Sequence, residues 1–371
     1  MGLYKLIRRV ARIISPCRRE PGTSLQIAVL LGAGASPQLL GTQKLTSLLE
    51  QCADFEAPDS TSPFFASLAA RLHEVLDDQA EPASINFEQL IDVADELAHC
   101  LRDPHSVTSL NRWRLYQFFR VHESRVAWEQ SKTPLRQIAE RARIYLLNEM
   151  AAAVDALDRA PPLVSGLSAL SQDVVLKLSS LNYDDLPFLT NIRWVTGFND
   201  AGAFDPATEW EHGDHTLPQL HGSVRWATIG SNMIWFHSRD DARKEWGTIG
   251  QMSAARGYQD GRIAPYSPMI TGLRKADAII DEPYATYFHL FRRQFFSCNR
   301  WLIIGYGFAD RHINSVLRHA WTAWRRRSQN GQPGLKVAVV DWRPTRKWRG
   351  RMGWERPERY SAVTFNRELV Q

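Results

Sequence analysis

The chain has four cysteines in 371 residues, Cys17, Cys52, Cys100 and Cys298, and no two form a Cys-x-x-Cys pair. That spacing excludes a zinc ribbon and gives no basis for a disulfide framework, so no metal is expected. There is also no run of about 18 apolar residues, and so no segment that reads as a membrane-spanning helix. No secretory apolar core is present, which makes a reducing cytoplasm the expected compartment. Charge of one sign is scarce too: 45 Lys and Arg face 40 Asp and Glu, a formal excess of +5. That excess is small for a dedicated nucleic-acid binder, and direct nucleic-acid binding is not expected.

The positive charge is nevertheless uneven. Lys5, Arg8, Arg9 and Arg12 alternate with Leu6, Ile7, Val10, Ile13 and Ile14, so residues 1–24 read as a basic amphipathic segment. Arg325, Arg326 and Arg327 form a second cluster, and residues 346–371 read as a basic C-terminal tail. The simplest reading of the N-terminal segment is a solvated helix packed on its own domain, with contact to a membrane, nucleic acid or a partner subunit as the alternative.

The most telling stretch is Ala28-Val-Leu-Leu-Gly-Ala-Gly-Ala-Ser36. Ile27 to Leu31 are apolar and partly β-branched, which suits a strand covered on both faces. Gly32 and Gly34 follow as a tight turn with no side chain to block a ligand. Gln43 to Cys52 then reads as a helix, whose start offers free N–H groups to a phosphate. A dinucleotide-binding dehydrogenase would place glycine or alanine where Pro37 stands, which makes that class the weakest option.

Residues 55–160 carry apolar spacing near 3.6, as in Phe64-Phe65-x-x-Leu68, Phe87-x-x-Leu90-Ile91, Tyr116 to Val126 and Leu135 to Ala156. They predict a helical insertion. Short branched runs at Val174–Leu178, Trp301–Ile304 and Lys336–Val340 predict further strands. Trp194 to Gly261 is rich in Gly, Asp, Asn and aromatics and reads as long loops. The resulting fold class is α/β, a Rossmann-like parallel sheet with a helical insertion subdomain.

Three segments follow strands or resemble strand ends. They are Ser180-Leu-Asn-Tyr-Asp184, Gln219-Leu-His-Gly-Ser223 and Ile303-Ile-Gly-Tyr-Gly-Phe-Ala-Asp-Arg-His-Ile-Asn314. In doubly wound sheets ligands sit at the carboxyl ends of strands, so these segments and the first glycine turn share one crevice. Asn182 and Asp184 admit a plainer reading, as caps of a helix running from Leu186. His212, His215, His221 and His237 lack the helical frame and cysteine partners of a zinc site.

Taken in order, Gly-Ala-Gly-Ala-Ser, Leu-Asn-Tyr-Asp, Leu-His-Gly-Ser and Ile-Gly-Tyr-x-Phe-x-Asp-x-x-Ile-Asn resemble the sirtuin-like domain of bacterial anti-phage defence systems. Ile85-Asn-Phe-Glu-Gln-Leu90 and the stretch from Lys275 through Tyr284 to Phe296 resemble it as well. The resemblance spans residues 25–345. It implies cleavage of NAD, as substrate, into nicotinamide and ADP-ribose.

By that resemblance Gly32, Ala33, Gly34 and Ser36 line the pyrophosphate and ribose. Asn182 and Asp184 hold the nicotinamide ribose, and His221 is the catalytic base. Gly305 and Gly307 approach phosphate or adenosine ribose, Asp310 shapes the turn, and Asp341 stands near the adenosine ribose. Gly307 departs from the family, which often carries serine there. The absent cysteine ribbon argues against the alternative of protein deacylation. A non-enzymatic module sensing NAD or ADP-ribose is the other alternative. The resemblance also implies a homo-oligomer gated by a partner, with a HerA-type hexameric ATPase as the first expectation.

Overall fold

Apolar residues of the first strand alternate between two cores, and that alternation builds the fold. The computed structural model describes residues 25–35, 42–52, 64–76, 85–102, 135–210, 213–229, 232–246, 269–271, 279–308, 310–341 and 360–364. The basic segment 1–24, Ser36 and the helix expected over Tyr116 to Val126 lie outside them.

Strand β1 is Gln26–Leu31. Helices α1 (Thr42–Gln51), α2 (Phe64–Leu76), α3 (Phe87–Arg102) and α4 (Leu135–Asp155) follow, then α5 (Pro162–Ser171) and β2 (Val175–Ser180). Next come β3 (Trp226–Ile229) and β4 (Asn232–Trp235), then α6 (Tyr284–Ser297), β5 (Arg300–Ile304), α7 (Arg311–Gln329), β6 (Lys336–Asp341) and β7 (Tyr360–Thr364).

Five strands form one parallel sheet in the order β2-β1-β5-β6-β7. Side chains of a strand point alternately to opposite faces. Ala28, Leu30, Trp301, Ile303, Val337 and Val339 accordingly enter a core shared with Phe291 and Phe295 of α6 and Ile313 and Leu317 of α7. Ile27, Val29, Leu31, Leu302, Ile304, Ala338 and Val340 enter the opposite core, with Leu163 and Leu167 of α5. Helices on both faces explain why these strands are continuously apolar rather than alternating with polar residues. The fold class is therefore the expected α/β, Rossmann-like one.

The helical insertion has its own core, built from Phe64, Phe65 and Leu68 of α2, Leu90 and Ile91 of α3, and Leu146 and Leu147 of α4. Its helix α3 begins with a capping box. Asn86 Oδ1 accepts the Gln89 N–H at 3.0 Å, and Gln89 Oε1 accepts the Asn86 N–H at 2.9 Å. This satisfies two donors that a helix start otherwise leaves open.

Two parts of the fold depart from expectation. The region read as long loops contains the antiparallel hairpin β3–β4, with Trp226 opposite Trp235. The basic tail contains β7, which extends the sheet by parallel pairing with β6 from Val337↔Tyr360 to Asp341↔Thr364. Cys52 and Cys298 are buried in separate cores, and burial pushes the Cys298 thiol up to about 11.

Candidate active site

Parallel register sets the position of the site. Leu31 pairs with both Ser180 and Ile304, and Ile304 pairs with Val340. Gly32, Leu181, Gly305 and Asp341 are the next residues along, so they share the carboxyl edge. The chain winds from β1 to β2 on one side, then crosses to β5 and continues outward on the other. The crevice at such a reversal, here between β1 and β5, is where open α/β sheets bind ligands.

The two glycine turns that flank this crevice clasp each other. Gly32 N–H donates to the Ile304 carbonyl at 2.9 Å, and Gly34 N–H donates to the Gly305 carbonyl at 2.9 Å. A Cβ on Gly32 would stand 2.7 Å from the Gly305 carbonyl oxygen, and one on Gly305 only 2.0 Å from the Ala35 nitrogen. Gly305 also has φ +62, a left-handed conformation that favours glycine. The missing side chains of Gly32, Gly34 and Gly305 thus serve turn-on-turn packing. Ala33 and Gly307 are exposed and form the open rim; a Cβ on Gly307 would meet nothing within 4 Å.

A further segment runs beside β2. Thr216 and Gln219 bridge in parallel to Lys177 and Ser180, and Leu220 N–H donates to the Ser180 carbonyl at 2.8 Å. This brings His221 to the same edge as Asn182, and both are buried. The Tyr183 and His221 rings are 6.4 Å apart, and those of His221 and His312 are 5.8 Å apart. Ile270 N–H donates to the His221 carbonyl at 2.9 Å and fixes that backbone.

The turn after β5 crosses toward His221. Its shape is held by Asn314, whose amide donates to the Phe308 carbonyl at 2.8 Å and accepts from the Tyr306 hydroxyl at 2.9 Å. Asn314 is therefore a brace of the turn. Asp310, His221 and His312 converge there, with one ligand-type atom from each lying within 4.8 Å of the others.

Asp184 takes up the capping role in part. Its Oδ1 accepts the Leu186 N–H at 3.2 Å, opening a short 3₁₀ turn, Leu186–Leu189. Asp341 ends β6 at the carboxyl edge, two strands from β1. His215 stands apart from the site: its Nδ1 accepts the Leu176 N–H at 3.0 Å, and burial beside Lys177 lowers its pKa.

Residues not singled out in the sequence complete the surroundings. Tyr183 Oη lies 2.9 Å from the Ile270 carbonyl oxygen and 3.0 Å from Glu88 Oε1 of α3. Burial, then the negative charges of Glu88, Asp310 and Asp92, push the phenol well above its ordinary pKa, so it stays a neutral donor. Tyr183 thus joins the insertion to the sheet edge.

Asp185 is fully buried and pairs with Arg225 and Arg239, the latter at 2.7 Å. Arg239 also pairs with Asp155, at 2.6 Å. The Asp-Asp doublet at 184–185 was the sequence signal for it. Removing one member of a buried ion pair strands the others. Asp185→Asn is expected to lower unfolding free energy by about 2 kcal/mol, since the amide keeps one acceptor and the arginines keep partial solvent access. Urea denaturation checks this; an unchanged midpoint would contradict the role given to Asp185.

No known family model matches the chain, and no curated protein matches it in sequence. Among solved structures, one described as "Structural Basis for the Mechanism and Regulation of Sir2 Enzymes" matches over 93% of this chain and 88% of its own, with 13% identity and a TM-score of 0.33. A likeness at that level carries no argument about function, and the fold class stands on the strand order and its two covered faces.

Proposed function

We propose that the chain is an NAD glycohydrolase, cleaving NAD into nicotinamide and ADP-ribose as an NAD-depleting effector of anti-phage defence. The observation that carries this reading is that buried His221 and Asn182 share the carboxyl edge, beside the switch-point crevice between β1 and β5. The crevice suits the substrate: a glycine clasp brings the two turns close, and its rim at Ala33 and Gly307 is exposed.

The residue types fit the reaction. The bond from nicotinamide to ribose breaks with its electron pair going to the ring nitrogen, which loses its positive charge. No general acid is needed to expel that group. Charge builds on the sugar, as in glycoside hydrolysis. Water oxygen bonds to the sugar carbon, and its proton passes to His221, a base suited to neutral pH. Asn182 donates to and accepts from ribose hydroxyls without adding charge. The neutral Tyr183 bonds the Ile270 carbonyl, and Ile270 N–H in turn holds the His221 backbone, while Asn314 shapes the turn after β5.

An unrestrained enzyme of this kind would poison its own cell. The proposal therefore includes a homo-oligomer gated by a separate partner, with a HerA-type ATPase as first choice. Repeated copies would place many sites under one assembly switch. No helix among the described residues is long and apolar enough to cross a membrane.

Asn182→Ala tests the site. Nicotinamide release is expected to fall at least ~10-fold with the melting temperature little changed, because ribose positioning is lost. Wild-type product formation by this variant would remove Asn182 from the mechanism.

A further inference from the structure

We propose that His221, Asp310 and His312 bind a divalent transition-metal ion of the zinc class, and that the bound ion switches off the NAD-cleaving site by occupying His221. The inhibitory half rests on the function proposed above; the binding half does not.

Two imidazole nitrogens and one carboxylate oxygen all lie within 4.8 Å of one another. Donors around one tetrahedral zinc stand about 3.3 Å apart, given Zn–N near 2.0 Å. Side-chain adjustments on the order of 1 Å close the set. Mixed nitrogen and oxygen ligands favour zinc-class ions over calcium or magnesium, which prefer oxygen alone. Three protein ligands leave a fourth position open, as in exchangeable sites.

The donors come from two separate segments of the chain. Asp310 occupies the N-cap position of α7, yet its side chain makes no cap hydrogen bond to the helix. Aspartate at such a position ordinarily accepts an N–H of the first turn. One carboxylate oxygen lies within 4.8 Å of a nitrogen of each imidazole. His312 follows two residues later, and His221 comes from a separate segment whose backbone is fixed by Ile270. Charges of both signs stand around the donors: Arg143 pairs with Asp95 and Glu140, acts on Asp92 and donates to Thr271, next to Ile270. Glu88, Asp92 and Asp310 act together on Tyr183, whose ring is 6.4 Å from that of His221. That charge opposes the positive N-terminus of α7.

Inhibition follows from competition for one lone pair. Inhibition requires that the ion take the imidazole nitrogen that accepts the proton from water, because a metal-bound nitrogen cannot accept that proton. The protein would then be held inactive while the ion is present and released when it is removed.

The test uses the full chain, stripped of metal by chelation, with Co²⁺ as the spectroscopic probe and Zn²⁺ as the inhibitor. One Co²⁺ per chain is expected, with visible absorption of a low-coordinate site. His312→Gln should weaken binding by more than the ~10–100-fold that loss of an outer-shell partner costs. Zn²⁺ should inhibit NAD cleavage by the wild type, whereas His312→Gln should keep full metal-free turnover and resist Zn²⁺. Asp310→Asn provides a second ligand variant, and thermal melts confirm that both fold.

No Co²⁺ binding, or equal binding by both variants and the wild type, would overturn the site. Equal Zn²⁺ inhibition of wild type and His312→Gln would overturn the switch. If the metal-free chain cleaves no NAD either alone or with the proteins that co-purify with it, the functional reading fails and the switch with it, while the Co²⁺ titration still decides the site.

Discussion

His221→Ala is expected to lower NAD turnover by ~10²–10⁴-fold, the usual loss when a general base is removed. The fold should survive. The backbone at this position is held through its carbonyl, which accepts from Ile270 N–H, and neighbouring Gln219 and Leu220 are tied to β2 through the backbone. Substrate affinity should change far less than turnover, because the base acts on water and not on the nucleotide. Nicotinamide release at saturating NAD, with a melting curve as control, separates the two effects. A folded variant with wild-type turnover would show that His221 is not the base.

Gly305→Ala is expected to cripple the fold, whereas Gly307→Ala, two residues away, is expected to be silent. At Gly305 the new Cβ would stand 2.0 Å from a backbone nitrogen, 2.1 Å from the Gly34 carbonyl carbon and 2.7 Å from the Gly34 Cα. None of these can swing aside as a side-chain tip would. Relief requires the β1 and β5 turns to separate, at the cost of the Gly34 to Gly305 hydrogen bond. The positive φ adds backbone strain. The combined loss is at least about 3 kcal/mol, among the large values for single substitutions. At Gly307 a Cβ meets nothing within 4 Å, so the change should stay within about 0.5 kcal/mol. Chemical denaturation of the pair checks this. Equal stability for the two variants would mean that the turns do not clasp.

The contrast between these glycines marks how far the sequence could be read. Both stand in one glycine-rich turn after a strand, and sequence alone gives each the same reason to be there. Only the approach of β1 and β5, whose turns are some 270 residues apart in the chain, shows which glycine is needed. The three inner strands, β1, β5 and β6, were legible because each is a short apolar run buried on both faces.

Strand β7, Tyr360-Ser-Ala-Val-Thr364, was not legible, being short and surrounded by arginine and glutamate. The β3–β4 hairpin could have been found. Two four-residue runs flank Gly230-Ser231, a two-residue turn signal, but the aromatic loop composition masked it.

At the site, Asn182 and His221 were legible from their positions after apparent strand ends. The approach of His312 to His221, and of Glu88 to Tyr183, depends on crossings between distant segments that carry no local pattern. Asn314, read within a family-like motif, proves to brace the turn through Tyr306 and Phe308.

The central claim is that this carboxyl-edge site cleaves NAD. Incubating the purified chain with NAD, alone and with proteins that co-purify with it, and identifying the products by mass spectrometry tests it most directly. Equal amounts of nicotinamide and ADP-ribose, formed by the wild type and lost in His221→Ala, are the predicted result. NAD left intact under every condition, or acyl-ADP-ribose formed only when an acylated peptide is supplied, would contradict it.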